Sequence, residues 1–460
     1  MDSASMILGR AAAFLPARDA WAKVLPVSRG ARKAALQFIQ VVCLTGLEAP
    51  FADTTFAAVV AAVIENTCRQ LTTLKLSYCP DTAALKGLGD CAALATLQLV
   101  GCRGVTHLPE RLGDCAALTN LSLWGCDGLA ALPERLGDCS KLTTLDLSAC
   151  FRLTSLPERG CAALKTLKLQ ACRGLAMPPA WLADCTALTT LDLSRCDGLT
   201  AAALEGLGGC AALKTLDLSW CVGITTLPEQ LGECAALTAL NLSYCPSLTA
   251  LPERLGDCAA LTALNLATCK SLATLPERLV DCAALTTLVL GGCYNLAALP
   301  ARLGGFASLT TLDLSACFGL PAASLERLDC AALTQLNTSH CPSLATLPAW
   351  LSDCAALTML DLSGCVGLTE ASLEPLGDCA ALRKLQLAYC PGLTALPERL
   401  GDCSALTTLV LSSCPRLDAL PERLVDCAAL KTLILSGCSS ILRYVAVVGR
   451  LQARGCTVAF

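Results

Sequence analysis

Aromatic side chains make up only 4% of the 460 residues, with five Trp, five Tyr and eight Phe. A core built on large rings is excluded, and the 54% hydrophobic content must pack mainly as Leu, Ala and Cys. Histidine is almost missing. His107 and His340 stand apart and no C-x2-C occurs, so no zinc or other metal centre is expected. Neither sign of charge dominates: the net charge of −4 gives no global attraction to nucleic acid or an anionic membrane. No apolar run reaches the roughly 18 residues of a membrane helix. Residues 56–64 are too few, and residues 36–47 contain Gln37 and Gln40. A signal-peptide pattern is lacking as well, because residues 1–33 mix Arg10, Arg18, Asp19, Lys23, Arg29, Arg32 and Lys33 with short apolar stretches. With no phosphate-binding G-x-x-x-x-G-K-[ST] either, no cofactor and no enzymatic activity are expected.

What is present is one phrase, Leu-x-x-Leu-x-Leu-x-x-Cys, sixteen times at intervals of 22 to 25 residues, once with Thr338 in place of its third Leu. It begins at Leu71, Leu74, Leu76 and Cys79 and ends at Leu430, Leu433, Leu435 and Cys438. A fixed period in this range implies a solenoid, because one unit cannot bury its apolar side without neighbours. Such an array grows along one axis and overrides the several-domain expectation that length alone would give.

The 33 cysteines follow the same period. Sixteen occupy position 9 of a repeat, fifteen lie three residues before the next repeat's first Leu, and Cys43 and Cys456 are left over. Phe306 replaces Cys in the second slot once, which reads that slot as core. Disulfide frameworks belong to small secreted domains short of core. Thiols stacked at strand spacing point in parallel, which suits a disulfide dihedral poorly. These cysteines therefore read as small buried hydrophobes whose thiols donate to backbone carbonyls at the turn. Their number implies a reducing compartment, cytoplasmic or nuclear.

In the coil at residues 237–260, Leu237, Leu240 and Leu242 point inward and Ala239, Asn241 and Ser243 outward, which is strand periodicity. Pro246 stops the strand, Leu248 and Leu251 turn back inward, and Pro252 opens a short helical or extended return. Leu255 and Cys258 face the core, and Gly256-Asp257 bends into the next coil. Sixteen strands at about 4.8 Å give a sheet face of roughly 75 Å.

This pattern resembles the leucine-rich repeat family over residues 68–442. The implied fold class is an α/β solenoid, curved, with a parallel β-sheet on the concave face, short helical or extended returns on the convex face and a helical N-terminal cap. Leu-Pro-Glu-Arg-Leu-Gly-Asp returns, as at 251–257, resemble those of intracellular plant disease-resistance receptors. Returns at 80–90, 197–209, 318–329 and 366–378 look more helical and resemble the cysteine-containing repeat of F-box proteins. Three coils depart locally: residues 142–163 drop two positions, Phe306 replaces Cys, and Thr338 replaces the position-6 Leu beside His340.

The expected organisation is a helical segment at 1–50, a capping helix at 51–70, repeats at 71–438 and a C-terminal cap at 439–460. That last cap is read as a helix over 440–454, with Ile441, Leu442, Val445, Val448 and Leu451 inward, followed by an edge strand from Thr457. Phe14-Leu15-Pro16, Arg18-Asp19 and Val27-Ser28-Arg29 resemble the F-box, which docks on the Skp1 adaptor of a cullin ubiquitin ligase. The resemblance implies Skp1 contacts from Phe14, Leu15, Pro16, Asp19 and Val27. It lacks the family's opening Leu-Pro, and Gly30-Ala31 stands where an aromatic often follows. A basic amphipathic cap is the other reading of this segment.

Outward strand positions are the expected recognition surface. Position 5 carries Asp146, Asp192, Asp217, Asp313 and Asp361 with Asn241, Asn265 and Asn337, while positions 3 and 7 are mostly Thr and Ser. Large groups at positions 7 and 8 stand out: Tyr78, Trp124, Arg195, Trp220, Tyr244, His340 and Tyr389. Aromatics and Arg are the usual interface anchors. These residues, with Asp217, Asn241 and Asp361, are the candidate partner-binding set, centred on 195–244. Stacked Glu-Arg steps of the returns read as a solubility device. Three functions follow: a protein-interaction scaffold, an F-box-type substrate adaptor, or an immune or signalling recognition module. All three take a protein partner, and no nucleic acid or membrane.

Overall fold

The computed structural model describes residues 41–44, 54–79, 81–175, 180–302, 305–326, 332–438 and 445–460. The chain divides into two compact units, Met1–Gly223 with Glu233–Leu237, and Ile224–Gly232 with Thr238–Phe460. The F-box-like residues Phe14, Leu15, Pro16, Asp19 and Val27, and Ile441 and Leu442 of the expected C-terminal helix, lie outside the described residues.

In the first unit, a strand at Val41–Leu44 and helix α1 (Thr54–Thr67) precede strands that recur once per repeat from Thr73–Ser77 to Thr215–Asp217. Neighbouring strands pair in parallel, and the position-4 Leu residues stand opposite one another: Leu74 on Leu97, Leu97 on Leu121, Leu121 on Leu145. The second unit repeats the arrangement from Ala239–Asn241 to Thr432–Ile434, with Leu240 on Leu264 and Leu264 on Leu288. Because the coils, the one with Thr338 apart, offer the same Leu set, this register buries it; Leu237, Leu242, Leu261 and Leu266 are fully buried.

The returns are short 3-10 helices such as Glu110–Asp114 and Glu253–Asp257. Pro252 sits just before its helix, with extended backbone, rather than at the first helical position. Its carbonyl accepts from Leu255 N at 3.1 Å, which closes the first turn. Three of the four returns expected to be more helical carry longer 3-10 helices, Thr82–Asp90, Ala201–Gly209 and Ala371–Asp378, while the return at 318–329 carries only the short Ala322–Ser324 among its described residues. The Gly of Gly-Asp permits close stacking of these helices, since a Cβ on Gly113 would lie 2.1 Å from the Arg135 carbonyl oxygen.

Glu and Arg of the return do not pair with each other as a mere surface pattern. Glu229 and Glu253 accept from the backbone N–H of Arg254 and Arg278 in the following coil, at 2.9 and 3.2 Å. In these coils an orphan helix donor thus finds a carboxylate. The guanidinium reaches the Asp of the preceding coil, as in Arg135–Asp114 and Arg278–Asp257, both 2.6 Å. Hydrogen bonding to that guanidinium holds Asp114 and Asp257 below the usual carboxylate range.

Two thiol ladders close the core by one device. The position-9 N–H bonds the position-6 carbonyl of its own coil, and the position-9 thiol of the next coil donates to the same oxygen. Cys126 N reaches Leu123 O at 3.1 Å, and Cys150 Sγ reaches it at 3.3 Å. On the return side Leu255 O accepts from Cys258 N at 3.1 Å and from Cys282 Sγ at 3.3 Å. Small side chains with a weak donor fill both corners without orphaning a carbonyl. Phe306, 1% exposed, occupies the second slot as core.

Both ends differ from expectation. Residues 41–44, expected within a helical segment, form a strand that pairs in parallel with Thr73–Leu76. Val41 and Val42 suit a half-buried strand, and this one covers the edge of the first repeat. Helix α1 buries Val60, Val63 and Ile64, and so serves as a return between two strands. At the other end, helix α2 (Val445–Ala453) buries Val447, Val448 and Leu451 but leaves Val445 62% exposed, against the inward placement expected for it. Val447 lies one position from Val448, so the buried stripe is displaced from Val445. The strand Thr457–Ala459 then pairs in parallel with Thr432–Ile434.

Candidate partner-binding surface

All sixteen residues at position 8 have positive φ, between 54° and 78°. The cause is the turn just described: position 8 is the third residue of a four-residue turn closed from position 9 to position 6, the geometry that requires φ > 0 there. Glycine takes this conformation without strain and fills five coils, at Gly101, Gly125, Gly292, Gly364 and Gly437. Tyr78, Arg195, Trp220, Tyr244, His340 and Tyr389 adopt it too. For a side chain with a Cβ, the left-handed region costs about 1–2 kcal/mol. The fold therefore sets the backbone at this rim, and these coils carry large groups where Gly is cheapest.

Those groups project outward. Tyr78, Trp220, Tyr244 and Tyr389 are 50, 40, 41 and 61% exposed. Arg195 lies over the Trp220 ring, 4.7 Å from its centroid. Small residues follow large ones along the row: a Cβ on Gly101 would strike the Tyr78 ring at 2.8 Å, and one on Gly364 would strike His340 at 2.3 Å. Trp124 is at position 7, exposed where Ser148, Ser194 and Ser219 are buried. Of the 195–244 set the structure brings Arg195 and Trp220 together; Tyr244 holds the equivalent place in a coil of the second unit.

The position-5 Asp and Asn residues have a local task. Asp217, Asn241 and Asp361 each accept, through Oδ1, the backbone N–H two residues on, at 2.8, 3.1 and 2.9 Å. Asp146, Asp192, Asp313, Asn265 and Asn337 make the same bond. The bond orients the turn that follows, so one oxygen of each carboxylate is committed to the fold.

A second row escaped the sequence reading. Position 10, on the other side of the buried Cys, carries exposed Phe151, Val222, Tyr294, Phe318 and Val366. Tyr294 and Phe318 stack with centroids 5.1 Å apart, and Lys270 Nζ lies 5.7 Å from the Tyr294 centroid. Arg173 lies over Phe151 at 5.8 Å. The signal was available: coils with Pro246, Pro342, Pro391 or Pro415 show the filler, and an aromatic one period apart breaks it.

The irregular coils are repacked. Trp181 is buried, donates from Nε1 to Pro157 O at 2.8 Å and covers Gly160 in the coil that drops two positions. Thr338 is 2% exposed and its hydroxyl has no hydrogen-bond partner. An unpaired buried hydroxyl costs about 1–3 kcal/mol. Thr338→Val keeps the shape, so a rise in unfolding free energy of about 1 kcal/mol or more is expected in denaturant titration; a fall would show that the hydroxyl is satisfied.

Among the described residues no group of three or more His, Cys, Asp or Glu is placed to hold a metal ion, and no helix is long and apolar enough to cross a membrane.

A family model described as a leucine-rich repeat matches residues 184–208. No curated protein matches by sequence. Among solved structures, a leucine-rich repeat protein of Leptospira interrogans is 22% identical with a TM-score of 0.67, covering 94% of this chain and 98% of that one. The functional domain of InlJ from Listeria monocytogenes, which includes a cysteine ladder, is 21% identical with a TM-score of 0.53, covering 84% and 74%. TLR13, solved in complex with ssRNA13, is 18% identical with a TM-score of 0.63, covering 90% and 60%. Stacked parallel coils, in-register Leu residues and the matched repeat converge: the chain has the leucine-rich repeat solenoid fold.

Proposed function

We propose that the chain is a non-enzymatic protein-binding module, and that its partner docks on the strand side along the rim formed by positions 8 and 10. One observation carries this reading. Exposed aromatics and cations concentrate at a corner where the backbone conformation favours Gly, at a cost of about 1–2 kcal/mol for each residue with a Cβ. Tyr, Trp and Arg are the residues that supply binding energy when a partner covers them. The thiol content supports a reducing compartment, cytoplasmic or nuclear.

The test is affinity purification of the full chain from its source cells, beside a variant with Tyr78, Trp220, Tyr244 and Tyr389 all changed to Gly. A protein that co-purifies in stoichiometric amount with the wild type and is lost from the variant is the expected result. Equal recovery with both, or recovery with neither, would overturn the reading. The F-box-type adaptor function rests on Phe14, Leu15, Pro16, Asp19 and Val27, outside the described residues. Its test is whether Skp1 is among the proteins recovered.

A further inference from the structure

We propose that the rim of the first unit binds an acidic peptide segment, with Arg152 and Arg195 taking its carboxylates and Trp220 and Phe151 its apolar side chains. The inference rests on the rim reading above and names the partner's chemistry. Arg103, Arg152, Arg173 and Arg195 all stand at positions 8, 10 or 11 of their coils, next to the buried Cys. Two of them are neutralised: Arg103 pairs with Asp127 at 3.2 Å and Arg173 with Asp197 at 3.6 Å. Among the described residues neither Arg152 nor Arg195 pairs with a carboxylate, and both are exposed. Arg195 instead lies over the Trp220 ring, and a guanidinium held by a ring in this way can still offer N–H groups for bidentate bonds to a carboxylate. Phe151, adjoining Arg152, is 45% exposed and offers an apolar contact beside the second cation.

The spacing selects the ligand. Arg152 and Arg195 lie two coils apart, about 10 Å along the stack by strand spacing with a further offset from position 8 to position 11, which suits a chain whose carboxylates are separated by a few residues. Asp146 and Asp192 line the adjoining strand positions. A nucleic acid strand, charged at every nucleotide, must meet those carboxylates. A peptide with spaced acidic residues avoids them. Arg195 and Trp220 hold φ of 60° and 63° in an array that uses Gly at the same position elsewhere, the strain on which the rim reading rests.

The probe is a random copolymer of Glu and Tyr, titrated calorimetrically into the full-length protein at low and moderate salt. The double variant Arg152→Ser, Arg195→Gly removes both cations, and its fold is secure because Gly occupies position 8 and Ser position 11 in other coils. Ser413→Gly, at position 8 of a distant coil, is the control. Expected are salt-sensitive binding to the wild type, at least a tenfold loss in the double variant with no fall in melting temperature, and no change in the control. Absence of binding, or binding indifferent to the double variant, overturns the acidic-peptide assignment. Single-stranded poly(U) binding as tightly as the copolymer overturns it too, in favour of nucleic acid. None of these failures touches the co-purification result, on which the rim reading stands or falls separately.

Discussion

Raising the pH from 8 to 10 in the presence of reductant is expected to unfold the protein, with the midpoint of the far-UV transition between pH 9 and pH 10. Burial pushes the thiols of eighteen cysteines from 9.0 up to about 11 or about 12, among them Cys150, Cys196, Cys258, Cys282 and Cys403. The folded state keeps these protons while the unfolded chain releases them near pH 9. Stability is therefore intact below about pH 8 and falls as pH rises from the unfolded value toward the folded one. By pH 10 each thiol held protonated in the fold costs on the order of 1 kcal/mol, and the ladders together outweigh the roughly 5–15 kcal/mol that usually holds a domain. Circular dichroism unchanged at pH 10.5 would contradict the ladders as buried, protonated arrays.

Trp220→Gly is expected to move stability and binding in opposite directions. At φ +63° Trp carries the left-handed penalty. Gly removes about 1 kcal/mol of it, offset in part by loss of the exposed Arg195 contact, about 0.5–1 kcal/mol. The unfolding free energy therefore stays level or rises. Binding to the co-purified partner falls by about 2 kcal/mol, roughly thirtyfold, as for a central aromatic anchor. Trp220→Ala retains the strained backbone and serves as the comparison: it loses the same affinity and is less stable than the Gly variant. A marked drop in stability with Gly would place Trp220 in the packing of the coil rather than at an interface.

Periodicity made the fold legible. Leu at positions 1, 4 and 6 and Cys at position 9 left one way to bury the apolar set, and the in-register Leu ladder follows from it. Cross-coil bonds were not legible, because a repeat read alone shows neither Glu229 capping Arg254 nor two thiol ladders sharing their carbonyls. At the site, composition pointed to the large residues at position 8. Their left-handed backbone was hidden, since only five of sixteen coils carry the Gly that would signal it. The turn bond that Asp217, Asn241 and Asp361 each accept was not legible either, because an outward Asp or Asn on a strand carries no mark of it. Position 10 was missed because Phe151, Tyr294 and Phe318 follow the repeat phrase and read as loop.

The central claim is that the partner covers the rim. It is tested most directly by a photo-cross-linking amino acid placed in turn at Phe151, at Tyr389 and at Arg254 on the return face, with the co-purified partner present. The rim reading predicts adducts from Phe151 or Tyr389 and none from Arg254. Adducts from Arg254 with none from either rim position would contradict it.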